Sequence, residues 1–125
     1  MIIGIGNDIV HVSRCEALLA RHGDRALTRL LGEQERGCIR AHRQPGAYLA
    51  KRFAAKEAFV KALGLGLRHG MRWSEIQVAN DALGRPSLIL AGRAKAHADS
   101  AGVRWIHLSL SDEKDLASAV VVLES

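Results

Sequence analysis

The segment IIGIGNDIV at residues 2–10 places the hardest condition on the fold of this chain. Its β-branched residues predict a strand, and side chains of a strand alternate between two faces. Alternation puts Ile3, Ile5 and Ile9 on one face, and Gly4, Gly6 and Asp8 on the other. Glycine weakens a strand interior, but it marks places where another backbone or a ligand comes close. Asp8 therefore lies on a face cleared of neighbouring side chains. A carboxylate there is expensive to bury, so it needs a purpose.

The rest of the chain supplies helices and hairpins to pack on that strand. Ser13 with Glu16 has the spacing of a capping box and predicts a helix through about Arg21. Further helix is expected from Arg25 to Leu31 and from Glu33 to His42, broken by Gly32. A longer helix should start at Pro45, run to about Leu63 and stop at Gly64. After the loop GLGLRHG come strands at 76–79 and 87–90 around the turn NDALGRP, then a helix over 91–101. Strands at 105–111 and 117–123 flank a second turn, SDEKD. Hairpins on short turns imply a mainly antiparallel sheet packed against helices, an α+β domain. The 125 residues fit one domain, 1–125, and with aromatics at 4% its core must be aliphatic.

Charge narrows the partners. Residues 1–72 carry 13 Lys plus Arg against 6 Asp plus Glu, whereas residues 73–125 carry 5 against 7. A basic first half attracts an anion: nucleic acid, a phosphorylated small molecule or an acidic protein. No apolar run approaches the roughly 20 residues of a membrane span, and no basic region leads into an apolar stretch at the N-terminus. A cytoplasmic protein without membrane contact is expected. Cys15 and Cys38 lack metal or redox spacing and are read as reduced thiols.

Chemistry concentrates in two places. In RFAAKEAFVKALG, residues 52–64, Glu57 and Lys61 share one helix face, and Arg52 and Lys56 share another. An exposed helix braced by a Glu57–Lys61 ion pair is the plain reading. With Asp8 added, two carboxylates from separate elements suit one hard cation such as Mg²⁺, whose other ligands are waters and phosphates. Lys56, Lys61 and Arg52 then supply positive charge beside those phosphates, a set suited to phosphoryl-group chemistry. Other features carry less. GLGLRHG follows a helix and lacks the GK[ST] of a phosphate-binding loop. His107, Ser109 and Ser111 alternate along a strand without the elbow of a nucleophile. Asp112 reads as a turn residue, the remaining histidines as surface groups, and Trp73 and Trp105 as core or interface anchors.

GIGNDIV, RFAAKEAFVKALG, NDALGRP and the closing SLSDEKDLASAVVVLES, in that order, resemble the small bacterial holo-acyl-carrier-protein synthases, which are 4′-phosphopantetheinyl transferases. The resemblance runs over nearly the whole chain; Asn7 stands where Thr is more usual, and Arg85 where Lys is. It implies the 4′-phosphopantetheinyl transferase fold. It also implies transfer of the phosphopantetheine arm of coenzyme A to a serine of apo-acyl carrier protein, releasing adenosine 3′,5′-bisphosphate for fatty-acid synthesis. By motif position Asp8 and Glu57 would hold Mg²⁺, with Mn²⁺ as a substitute, and Lys61 would neutralise or protonate the leaving phosphate. Arg52, Lys56, Gly64, Asn80, Pro86 and His107 would cradle the nucleotide. Arg14, Arg21 and Arg25 would meet the acidic carrier protein. Members of this short type are homotrimers with sites between subunits. Two alternatives stand beside this reading: a Mg²⁺-dependent phosphotransferase or phosphodiesterase on another coenzyme A-like nucleotide, and a basic nucleic-acid-binding or adaptor domain. The latter has no use for Asp8 in a strand and shows no aromatic stripe or recognition helix.

Overall fold

The computed structural model describes residues 1–125. Strand β1 (Ile2–His11) leads into α1 (Val12–His22), α2 (Asp24–Leu30), α3 (Glu33–Arg40) and the long α4 (Pro45–Leu63). A short 3₁₀ turn, Trp73–Glu75, precedes β2 (Ile76–Asn80) and β3 (Pro86–Leu90). Helix α5 (Gly92–Ser100), β4 (Trp105–Glu113) and β5 (Leu116–Glu124) complete the chain. The expected antiparallel α+β arrangement is present, but the strands divide into two sheets. One has the order β1-β5-β4 and the other is the β2-β3 hairpin. No helix is long and apolar enough to cross a membrane.

Helix α4 is the centre of the molecule. Pro45 occupies its first turn, and Gly64 ends it in the left-handed conformation at φ 78°. Most of its side chains are buried, Leu49, Ala54, Ala58 and Phe59 completely, so it is not the exposed helix of the plain reading. The three-stranded sheet lies on one side of it, presenting Val10, Ala117, Ala119, Val121 and Leu123.

Gly4 and Gly6 are where β1 and α4 touch. A β-carbon on Gly4 would overlap the Ala62 carbonyl oxygen, and one on Gly6 would overlap that of Ala58. The cleared face of the strand is thus occupied by helix backbone. The opposite face remains open, with Ile5 63% and Ile9 60% exposed.

Helix α1 is not capped by the Ser13–Glu16 box. His11 is its N-cap residue and supplies no side-chain bond. Asp115, from the β4–β5 turn, instead accepts the Ser13 backbone N–H at 2.9 Å and its hydroxyl at 3.0 Å. A tertiary carboxylate has replaced the local one, doing the same electrostatic work at a helix N-terminus.

Gly6→Ala tests the β1–α4 contact. The added methyl meets the α4 backbone at Ala58 and Ala62, so a loss on the order of 3 kcal/mol is expected. Denaturant unfolding of wild type and variant measures it, and a change within experimental error would contradict the packing described.

Candidate active site

Asp8 and Glu57 come together because of this glycine contact. Asp8 lies two residues beyond Gly6 on β1, and Glu57 precedes Ala58 on α4. The Asp8 carboxylate is only 15% exposed, and its Oδ1 accepts a 2.7 Å hydrogen bond from Lys61 Nζ. Lys61 also donates to the Asn7 carbonyl at 3.2 Å. The expected Glu57–Lys61 pairing is therefore replaced by a Lys61–Asp8 pair, and the Asp8 bond raises the Lys61 pKa above the ordinary lysine value.

Glu57 is held differently. Burial first, and then the negative charge of Asp8, push its pKa up, while Lys61 and Arg14 pull it down through charge alone. Two carboxylates close enough to repel, one of them partly desolvated, present adjacent oxygen donors. That donor set fits a small divalent cation such as Mg²⁺, which takes one or two protein carboxylates and leaves its other positions to water and phosphate.

Arg14, which acts on Glu57, is also on the rim of a groove. With Arg25 and Arg29 it surrounds Leu18, Leu30 and Phe53 in a cavity of about 460 Å³ between α1, α2 and α4. Arg21 lies with Arg14 on the neighbouring surface of α1. Arg14 and Arg21 thus share a basic edge of α1, and Arg14 lies near enough to Glu57 to act on its carboxylate.

The nucleotide candidates divide into three groups. Arg52, Asn80 and Pro86 line one cavity of about 380 Å³ together with Tyr48 and Lys51. There the Arg52 guanidinium lies 3.7 Å over the Tyr48 ring and donates to Asn80 Oδ1 at 2.9 Å. Its Nε is buried without a partner. His107 lies elsewhere, in a smaller cavity that it shares with Arg85 and Pro86, and is paired with Glu124 at 2.9 Å. Gly64 serves as the α4 cap.

Lys56 is a correction. Its side chain is fully buried, and the ammonium is bonded to Glu35 Oε1 at 2.7 Å and to the carbonyls of Trp73 and Ile76. Facing the interior, it cannot lie beside a phosphate. Burial lowers its pKa and Glu35 opposes that shift.

Two contributors, Tyr48 and Glu35, were not singled out from the sequence, and a third, Asp112, was read only as a turn residue. Tyr48 supports Arg52. Asp112 reaches to 3.9 Å from Lys51 in the same cavity rather than merely turning the chain. Glu35 is the buried partner of Lys56; its place three residues after Gly32 is the spacing of a capping box, and it does accept the Gly32 N–H at 3.0 Å.

Known proteins share this architecture. The model of the 4′-phosphopantetheinyl transferase superfamily matches residues 4–121. A holo-[acyl-carrier-protein] synthase of Alkalilimnicola ehrlichii is 56% identical over 126 residues, covering 100% of this chain and 98% of that protein. The crystal structure of the holo-[acyl-carrier-protein] synthase of Neisseria meningitidis superposes with a TM-score of 0.94 at 39% identity, covering all of both chains. The Bacillus anthracis synthase in complex with CoA (3′,5′-ADP) gives 0.84 at 38% identity, covering 100% of this chain and 98% of that one.

The raised pKa of Glu57 has a consequence for stability. The folded protein holds that proton more tightly than the unfolded chain does, so the cost is absent below the ordinary value of 4.5 and develops as pH rises through the raised one. In metal-free buffer, Glu57→Gln should therefore melt above wild type at neutral pH, with the difference closing below about pH 4.5. A melting difference independent of pH would contradict the charge account.

Proposed function

The chain belongs to the 4′-phosphopantetheinyl transferase superfamily, and we propose that Asp8, Glu57 and Lys61 carry out its reaction here. The protein is a holo-[acyl-carrier-protein] synthase: it transfers 4′-phosphopantetheine from coenzyme A to a serine of apo-acyl carrier protein. The observation that carries the assignment of residues is the Asp8–Glu57 carboxylate pair, held beside the Lys61 ammonium where β1 crosses α4.

The serine hydroxyl attacks the phosphorus that carries the pantetheine arm. A new bond from serine oxygen to phosphorus forms, the pyrophosphate bridge breaks, and adenosine 3′,5′-bisphosphate leaves with the bridging oxygen. Asp8 and Glu57 would hold Mg²⁺, or Mn²⁺ in its place, and the bound ion supplies charge neutralisation at the pyrophosphate. The serine proton passes to Glu57 or to a water held beside the carboxylate pair. Lys61, with its side chain 53% exposed, balances Asp8 in the resting protein and the leaving phosphate during transfer. Arg52, with a buried unpartnered Nε, and Asn80 and Pro86 around the same cavity receive the nucleotide. Gly64 lies within the matching motif and keeps only its structural support.

The groove ringed by Arg14 and Arg25 receives the acidic carrier protein. Its apolar floor at Leu18, Leu30 and Phe53 takes apolar side chains of that partner, and Arg21 extends the basic surface. A carrier held in that groove lies beside Glu57; the reading is supported by Arg14, which lines the groove and acts on that carboxylate.

The working form is a homotrimer with active sites between subunits. Arg52 and Glu57 lie about 140° apart around α4, so Glu57 and the Arg52 cavity face different sides of one chain. His107 lies in a further cavity. A second copy brings such separated parts together. The open sheet face, with Ile5, Ile9, Val120 and Trp105 exposed, supplies the apolar contact. Both cysteines are free thiols, which suits the cytoplasm proposed as the location.

Incubation with coenzyme A, MgCl₂ and apo-acyl carrier protein tests the activity by intact-protein mass spectrometry. One added phosphopantetheine on the carrier is expected, and no gain at any metal concentration overturns the reading. Arg14→Glu should raise the KM for the carrier on the order of tenfold, the equivalent of about 1.4 kcal/mol, and leave that for coenzyme A unchanged. Equal changes in both KM values would contradict the docking role.

A further inference from the structure

We propose that the buried Glu35–Lys56 pair positions α4 so that the nucleotide cavity and the carboxylate pair are held in working relation. The role rests on the activity proposed above, and neither residue touches a reacting group. Glu35 is 1% exposed and Lys56 fully buried. All three ammonium protons of Lys56 and both carboxylate oxygens of Glu35 are engaged. The three ammonium protons meet Glu35 Oε1 and the carbonyls of Trp73 and Ile76. The Glu35 carboxylate also accepts the N–H groups of Gly32 and Val78, at 3.0 and 2.9 Å.

These bonds join α3, α4, the 3₁₀ turn and β2 at one point. A shape-matched apolar pair generally serves stability as well as a buried ion pair does, or better. What an apolar pair lacks is direction. The three directional bonds of Lys56, with Glu35 tied in turn to Val78 of β2, fix both the rotation and the axial position of α4 against β2, whereas packed methyl groups slide.

Two functional side chains depend on that position. Glu57 is the next residue on α4, turned about 100° away and beside Asp8. Arg52 lies one turn earlier on the same face as Lys56 and bonds to Asn80, the last residue of β2. Lys56 to Ile76 and Arg52 to Asn80 are therefore two ties between the same helix and the same strand. A rotation of α4 that loosens the first tie moves Glu57 relative to Asp8 and shifts Arg52 within its cavity. A misplacement of about 1 Å in such a constellation is enough to cost on the order of a hundredfold in rate.

The test separates position from stability. Glu35→Leu with Lys56→Met replaces the pair by apolar groups of similar volume. Because the swap leaves the Gly32 and Val78 N–H groups and the Trp73 and Ile76 carbonyls without these partners, the double variant is expected to melt below wild type; assayed where it is fully folded, it is expected to lose at least about tenfold in kcat with coenzyme A saturating. It is also expected to lose most of the rise in melting temperature that coenzyme A with MgCl₂ produces in wild type. A folded double variant with wild-type kcat and a wild-type coenzyme A shift overturns the positioning role and reduces the pair to a structural one. Should the double variant not fold, Lys56→Arg decides in the same way. It keeps the charge but cannot reproduce the three bonds, so a lowered kcat in a folded protein is expected and unchanged kinetics overturns the role. Wild type run alongside distinguishes the two failures. No transfer and no coenzyme A shift in wild type overturns the proposed activity and this role with it. Full transfer by wild type and the folded variant overturns this role alone.

Discussion

The closeness of β1 to α4 is the contact on which the rest of the structure depends. Helix and strand approach until helix carbonyls occupy the space that β-carbons at positions 4 and 6 would fill. No side chain other than hydrogen is compatible with that separation, and at that separation the Asp8 carboxylate lies 2.7 Å from Lys61. The same contact puts Glu57 within the field of Asp8. A requirement of backbone geometry therefore appears at the surface as an electrostatic arrangement. The glycines do nothing chemical themselves; they set the distance at which the chemistry takes place.

Helix α4 answers to both sides of the molecule. Its Glu57 and Lys61 turn toward β1, and its Arg52 and Lys56 toward the β2-β3 hairpin. A helix with so little polar surface left cannot be adjusted locally. Any substitution that alters how it lies on the sheet is felt on the hairpin side, because the packed core between them has no slack. The isoleucine face of β1 lies on the far side of the strand from this contact, with Ile5 and Ile9 exposed.

The element order and the ends of α4 were legible because they rest on local rules. Pro45 at a helix start and Gly64 at its end act through their own backbone preferences, and the turn at 80–86 carries its hydrogen bonds within five residues. The Asp8–Glu57 pairing was legible in part, since the glycines announced a close approach but not what approached. Lys56 was misread for a physical reason. A lysine next to a site carboxylate looks like a phosphate ligand when only spacing is known, and its burial depends on Glu35 and two carbonyls that spacing does not reveal. Ser13 was misread likewise: its partner is a carboxylate 102 residues away rather than one three residues on. The split into two sheets also lay beyond local rules, since strand pairing is decided by the whole assembly.

That distant partner bears on how the molecule comes into being. Asp115 holds the first turn of α1, and β1 has its only strand partner in β5. Neither is made until the chain has been synthesised past residue 115. Closing so long a loop delays folding more than it weakens the final state. The first helix, which bears Arg14 and Arg21, is thus secured late. A nascent chain exposes its isoleucine-rich strand for most of its synthesis and depends on rapid closure, or on protection, to avoid pairing with its neighbours.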